Sequence, residues 1–178
     1  FNSTFFNVAG ERVQSYVGTN AASDLRDMLS KIDNIKIINL ELESFPYPDN
    51  TFDYVFSKSV IEHFYYPEKL MSEMYRVLKH DGVIITMCPS WEYNYKIYFE
   101  DYSHRTPFMK DSLRDLKIIT GFRDVTSEYF KQLPILWKYP IFRFFSELIR
   151  LLAPKSFSKY SKFIRFSKEI MILATGRK

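Results

Sequence analysis

The sequence predicts an α/β domain built on a doubly wound, mostly parallel sheet, and three observations carry that expectation. Short Ile- and Val-rich runs, too brief for helices, alternate with stretches whose apolar residues recur at helical spacing. Helix punctuation falls between them, with Pro67 at one start and Gly121 at one end. Polar residues then gather just past an apolar run in "FPYPDNTFDYVFSKSVIEHF" (Phe45 to Phe64), where Ser57, Lys58, Glu62 and His63 follow the run. In such sheets ligands bind beyond the carboxyl ends of the strands.

The elements follow in order. "VQSYVG" (Val13 to Gly18) reads as a strand leading to Thr19-Asn20. A helix follows from Ser23, a capping residue, with Leu25, Met28, Leu29 and Ile32 on one face, and Asp33-Asn34 ends it. "IKIINLEL" (Ile35 to Leu42) is the next strand, and a Pro-rich turn leads to another at Phe52 to Ser57. Pro67 opens an amphipathic helix through Leu70, Met71, Met74, Val77 and Leu78 that ends near Lys79. His80-Asp81-Gly82 is its C-terminal turn, with Gly82 expected in the left-handed conformation. "VIITMCP" (Val83 to Pro89) is a buried strand, and a Tyr-rich irregular stretch runs from Trp91 to Phe108. A helix spans about Lys110 to Thr120, and "VTSEYF" (Val125 to Phe130) and "EIMILATG" (Glu169 to Gly176) are the final strands.

At 178 residues, 46% hydrophobic and 26% charged, the chain reads as one domain over residues 1–178 with a sizeable core. Its single cysteine, Cys88, excludes an internal disulfide framework and points to a reducing, cytoplasmic setting. No apolar run reaches the roughly 18 residues of a membrane span. The chain opens at Phe1 without an initiator Met, so the expectation is an N-terminally truncated fragment. Charge is unevenly placed. Nine basic residues and one acid, Glu147, lie between Lys131 and Lys168, a local +8 within a total of +4, which leaves −4 elsewhere.

Three linked pieces resemble the class I, Rossmann-like S-adenosylmethionine-dependent methyltransferases. "LESFPYPDNTFDYVFSKSVIEHF" is similar to the turn, fourth strand and pocket helix of that family. "LMSEMYRVLKHDGVIITMCP" is similar to its next helix, Gly-containing turn and fifth strand, and "HRTPFMKDSLRDLKIITGF" to a segment preceding an antiparallel strand pair. The resemblance implies a sheet with an antiparallel C-terminal pair and lacking the family's first strand and glycine-rich loop, since none of the five glycines forms a G-x-G cluster. Phe1 would then fall in or near the helix after that loop.

The resemblance also implies S-adenosylmethionine as cofactor and a set of contacts. Asn20 stands where the family has an acid for the ribose hydroxyls; a neutral amide accepts only through its carbonyl oxygen, more weakly than a carboxylate. Ala21 would pack on the adenine edge, Glu41 accept from the adenine amino group, and the Leu42 N–H face a ring nitrogen. The alternative for Glu41 is a solvated loop acid. Ser57 and Lys58 would offer backbone contacts to the methionine part, or Lys58 would cap the rim and point to solvent. His63 would lie near the sulfonium, as a pocket residue, a catalytic base or a satisfied structural histidine.

Methyl transfer from a sulfonium needs alignment and exclusion of water, and a base only where the acceptor carries a proton. By residue type the bases are His63 and His104. His104 and Arg105 lie among Tyr93, Tyr95, Tyr98 and Tyr102, either in a substrate lid with Arg105 on an anionic group or as partners of Glu100 or Asp101. The scattered positions of His63, His80, Cys88 and His104 give no metal-ligand spacing, so no metal is expected.

The basic aromatic segment 131–168 reads as a helical insertion between the last two strands. In it Phe145, Leu148, Ile149 and Leu152 line one helical face, with Arg143, Glu147 and Arg150 elsewhere. It could cap the active site, lie in a membrane interface through 133–168, or pack on the core. No nucleic-acid module is recognisable. The functional expectation is methyl transfer to a small-molecule, glycan or lipid-precursor acceptor. Its rival is a catalytically degenerate fold acting as a binding or membrane-surface module.

Overall fold

The computed structural model describes residues 5–8, 13–16, 35–37, 43–153, 157 and 161–178, the first three stretches by backbone only. Seven described strands form one sheet: β1 (Phe5–Val8), β2 (Val13–Tyr16), β3 (Ile35–Ile37), β4 (Phe52–Lys58), β5 (Leu78–Pro89), β6 (Arg123–Lys131) and β7 (Ile170–Arg177). Their order across the sheet is β3-β2-β1-β4-β5-β7-β6. β2 pairs with β3 in parallel, as does β4 with β5, whereas β1 and β7 run against their neighbours. Five strands therefore share one direction, and the last two, β6 and β7, form the antiparallel pair. The expected helix from Ser23 and the residues Val17, Gly18 and Ile38 to Leu42 lie outside the described residues.

The N-terminus adds something the sequence reading did not contain. Residues 5–8, to which the sequence assigned no element, are extended and fill the slot between β2 and β4. They run antiparallel, so they are not the family's parallel first strand. The physical reason is the pair of open edges that a gap there would leave, two rows of unpaired N–H and C=O groups.

Helix α1 (Pro67–Val77) buries Leu70, Met71, Met74 and Val77 against Val55 and Ile84 of the sheet. After the short α2 (Trp91–Asn94), helix α3 (Lys110–Thr120) adds Leu113 and Leu116 to the same core and closes on Gly121, whose φ of 111° suits glycine. The turn after α1 differs from expectation. Asp81, at φ 62°, is the left-handed residue, not Gly82. Gly82 is needed for space, since a Cβ there would sit 2.8 Å from the Lys79 carbonyl oxygen and 3.2 Å from that of Asp53.

Arg76 anchors the Pro-rich turn to α1. Its guanidinium donates to the carbonyls of Phe45 (3.0 Å) and Tyr47 (2.8 Å) and to Asp49 and Glu73, while Glu73 accepts from the Phe45 N–H at 2.8 Å. Those pairs pull the Glu73 carboxyl below its ordinary range and push the Arg76 guanidinium above its own. Between β6 and β7 stand α4 (Pro134–Lys138), α5 (Phe142–Leu152) and α6 (Lys162–Lys168). Helix α5 lies inside out. It buries Ser146, held by Lys131 Nζ at 3.0 Å, and exposes Phe144, Phe145, Leu148, Leu151 and Leu152 on one face. Of the apolar face read from the sequence, Ile149 alone is half-buried.

Candidate active site

β4 delivers the chain to the carboxyl end of the parallel strands and stops there. Ser59 takes a positive φ of 52°, and its N–H donates to the Met87 carbonyl of β5 at 2.8 Å. A single 3-10 turn follows, Ile61–His63. Ile61 and Phe64 are buried in the core and anchor the turn, which leaves Glu62 fully buried and the His63 side chain 16% exposed.

The Tyr-rich segment is stitched onto this turn. The Arg105 and Thr106 N–H groups both donate to the Glu62 carbonyl (2.8 and 3.1 Å), and the Thr106 hydroxyl donates to the Phe64 carbonyl at 2.6 Å. Buried Tyr98 donates its phenol to the Thr106 carbonyl at 2.7 Å. Burial pushes that phenol well above its ordinary pKa. The result is that the His63 and His104 rings lie with centroids 4.9 Å apart.

Hydrogen bonds fix how the two rings face. His104 Nδ1 is 2.6 Å from the Tyr98 carbonyl oxygen, which can only accept, so Nδ1 carries the proton. The Ser103 hydroxyl has one proton and donates it to Asp101 at 2.5 Å. It therefore accepts from His63 Nδ1 at 3.0 Å. Both neutral rings thus present a bare Nε2. Burial, then the neighbouring His104, pulls His63 below its ordinary pKa and favours that neutral form. Ser103 holds Asp101 below the usual carboxylate range.

Glu62 completes the cluster. Its Oε1 is 4.0 Å from His63 Nε2, and among the described residues neither carboxyl oxygen nor that nitrogen has a hydrogen-bond partner. Desolvation, with a lesser push from Asp101, raises the carboxyl to about 8. Ligand atoms of Glu62, His63 and His104 all lie within 4.8 Å of one another.

Of the residues singled out in the sequence, the fold brings His63 and His104 together. Ser57 is buried at the end of β4 with its hydroxyl unpartnered among the described residues, and Lys58 is half-buried beside it. Asn20, Ala21, Glu41 and Leu42 lie outside the described residues. Arg105 points its guanidinium at the carbonyls of Tyr102 and His104 and stacks over Tyr65 at 5.2 Å. Glu62 was placed past the end of the strand but given no role, Asp101 was named only as a loop partner of His104 or Arg105, and Ser103 was not expected. A carboxylate inside the apolar "VIEHF" was the available signal for Glu62; nothing local marks Ser103.

Comparison with known proteins agrees with this architecture. A family model described as a methyltransferase domain matches residues 3–86. Phosphoethanolamine N-methyltransferase 2 of Caenorhabditis elegans is 38% identical over 88 residues, 47% of this chain and 20% of that protein. An uncharacterized methyltransferase, YcgJ, of Bacillus subtilis is 30% identical over 76 residues, 39% of this chain and 30% of that protein. The matched stretches thus span less than a third of either relative. The crystal structure of a SAM-dependent methyltransferase from Archaeoglobus fulgidus superposes with a TM-score of 0.62 at 18% identity, covering 91% of this chain and 75% of that one. Strand order and the structural match define a Rossmann-like fold of the kind found in SAM-dependent methyltransferases. The chain resembles the class I S-adenosylmethionine-dependent methyltransferases: the family model covers just under half of it, and the structural match shows their fold.

Proposed function

We propose that the chain forms the catalytic part of an enzyme that transfers a methyl group from S-adenosylmethionine to a small-molecule, glycan or lipid-precursor acceptor. The observation that carries it is the convergence of His63, His104 and Glu62 at the carboxyl ends of β4 and β5, in a chain that resembles this family. The phosphoethanolamine methyltransferase relative supports a small acceptor. S-adenosylmethionine supplies an electrophilic methyl carbon with a neutral thioether as leaving group. Asn20, Ala21, Glu41, Leu42, Ser57, Lys58 and His63 are the proposed residues around it. The acceptor heteroatom attacks in line, and its proton passes to a bare imidazole Nε2 of His63 or His104. The stitched loop restricts water on that side of the cluster, which strengthens the alignment.

Isothermal titration of the chain with S-adenosylmethionine, followed by radiolabelled methyl transfer to phosphoethanolamine and to glycan and lipid precursors, tests the reading. Binding, with transfer lowered at least about 100-fold in His104→Ala, is the expected result. A folded chain with no uptake at millimolar cofactor refutes it in favour of the degenerate binding module.

A peripheral membrane contact belongs to the same proposal. On α5 the exposed Phe144, Phe145, Leu148, Leu151 and Leu152 share roughly a third of the helix circumference. Exposed Trp137 and Tyr139 precede them in the +8 segment. An apolar face flanked by cations suits an anionic lipid interface. Among the described residues, no helix is long and apolar enough to cross a membrane.

A further inference from the structure

We infer that Glu62, His63 and His104 form a binding site for one divalent first-row transition ion, such as Zn2+ or Mn2+. Two imidazoles and one carboxylate are a donor set that suits these ions, whereas Mg2+ favours oxygen ligands and retained water.

The first support is the state of the donor atoms. Each ring has its Nδ1 engaged, His63 with the Ser103 hydroxyl and His104 with the Tyr98 carbonyl, so each Nε2 is bare in the neutral form. A hydrogen-bonded second nitrogen that fixes tautomer and ring orientation is what metal-binding histidines ordinarily have. For His63 the support extends one step further, through Ser103 to the Asp101 carboxylate.

The second support is independent of the histidines. Glu62 is fully buried, and its two carboxyl oxygens have no hydrogen-bond partner among the described residues. Its main chain is satisfied, since the Glu62 carbonyl accepts from both Arg105 and Thr106. The side chain is therefore placed by the fold without a partner of its own, 4.0 Å from an equally unpartnered His63 Nε2. Buried polar groups are almost always satisfied, so an exception of this kind calls for an explanation, and a site for an ion beside two bare imidazole nitrogens is one.

The three ligand atoms lie within 4.8 Å of one another. Bonds of about 2.1 Å to one ion bring ligand atoms to roughly 3.4 Å apart, so closure takes shifts of about an ångström. One position would remain on a four-coordinate ion, and up to three on a six-coordinate one, for water or an acceptor heteroatom. A hydroxyl bound there loses its proton to water more readily because the ion stabilises the alkoxide. In the ion-free chain a bare Nε2 takes the acceptor's proton; with the ion bound, both Nε2 atoms are ligands and the proton goes to water instead. That acceptor role rests on the methyl-transfer reading; the ion site itself does not.

The test therefore uses the 178-residue chain without cofactor or acceptor. The apo chain, stripped with a chelator, is titrated with Co2+ and, in parallel, with Zn2+ against a competing chromophoric chelator. One ion per chain is expected, with d–d absorption bands in the cobalt form. Affinity should fall at least about 10-fold in Glu62→Gln and in His104→Gln, and about as much in Ser103→Ala, which frees the nitrogen behind His63. Replacing the exposed His80 by Ala should leave binding unchanged, and Mg2+ should not compete. Circular dichroism identifies any variant that fails to fold, and the remaining ones then decide. Absence of a stoichiometric ion, or binding unaltered in the folded variants, overturns the proposal whatever the outcome of the transfer assay.

Discussion

Lys117 is fully buried in α3, and replacing it with Met should change how stability depends on pH. Its ammonium donates to the Thr86 hydroxyl at 2.8 Å and lies 5.5 Å from the Phe122 ring centre. Desolvation lowers its pKa from 10.5 to about 7, against a small opposing pull from Cys88. Between those values the unfolded chain binds a proton that the folded chain does not. Stability contributed by this group therefore rises with pH across the window and is lowest below pH 7. Each unit is worth about 1.4 kcal/mol, so the full span is on the order of 5 kcal/mol.

Lys117→Met keeps most of the volume and removes the charge, at the cost of one hydrogen bond worth about 1 kcal/mol. Allowing for local relaxation, the variant should be about 2–3 kcal/mol more stable than the wild type at pH 6. At pH 9.5 it should be equal or slightly less stable. With a urea slope of about 2 kcal/mol/M, the pH 6 gain appears as a midpoint shift of about 1–1.5 M. Glu62, raised to about 8, works in the opposite sense between pH 4.5 and 8, losing stability as pH rises. It is common to both chains and cancels in the difference. A midpoint difference that is the same at pH 6 and pH 9.5 would refute the assignment.

Two further outcomes are expected. Arg76→Met should lower stability by about 2–3 kcal/mol in urea denaturation, because it strips Phe45 and Tyr47 of a shared donor and leaves half-buried Glu73 short of its cation; a change below about 0.5 kcal/mol would show the hub to be idle. The double variant Phe144→Ser, Leu151→Ser should co-sediment at least about 10-fold less with vesicles of phosphatidylcholine and phosphatidylglycerol, without loss of helix signal. Wild-type chain that prefers neutral vesicles, or binds neither kind, sinks the membrane reading.

Most of the sheet was legible because its signals are local. Phe52 to Ser57, Val83 to Pro89 and Lys110 to Thr120 carry period and punctuation in their own residues, and the strands and helix fall there, although β5 already begins at Leu78, within the expected helix end and turn. What failed needed knowledge of neighbours. Gly82 reads as a left-handed cap from the sequence, yet Asp81 takes that conformation, and the glycine is required because the backbone of Lys79 and Asp53 leaves no room for a Cβ at residue 82. Helix α5 has an apolar stripe that predicts burial, but Lys131 reaches Ser146 and Glu147 from β6 and turns the stripe outward. His104 was chosen by residue type, and His63 by type and by the pocket position the resemblance implies; their opposition depends on two N–H groups converging on one carbonyl, which no spacing rule contains.

Glu62 and Lys117 show why burial of a charge-bearing group does not by itself mark a site. Both are fully buried, both are driven toward neutrality, and both act on Cys88, whose thiol is pushed well above its ordinary pKa by burial, with Glu62 adding to the shift and Lys117 opposing it. Lys117 has a partner in Thr86 and lies sealed under α3, so no solute can reach it and its desolvation is a standing cost of the fold. Glu62 has no side-chain partner among the described residues and adjoins a histidine whose side chain is 16% exposed, at the strand ends where solutes arrive. Its desolvation can be reversed by something that binds. Ligand-dependent stabilisation should therefore vanish in Glu62→Gln and persist in Lys117→Met, a separation that burial alone does not produce.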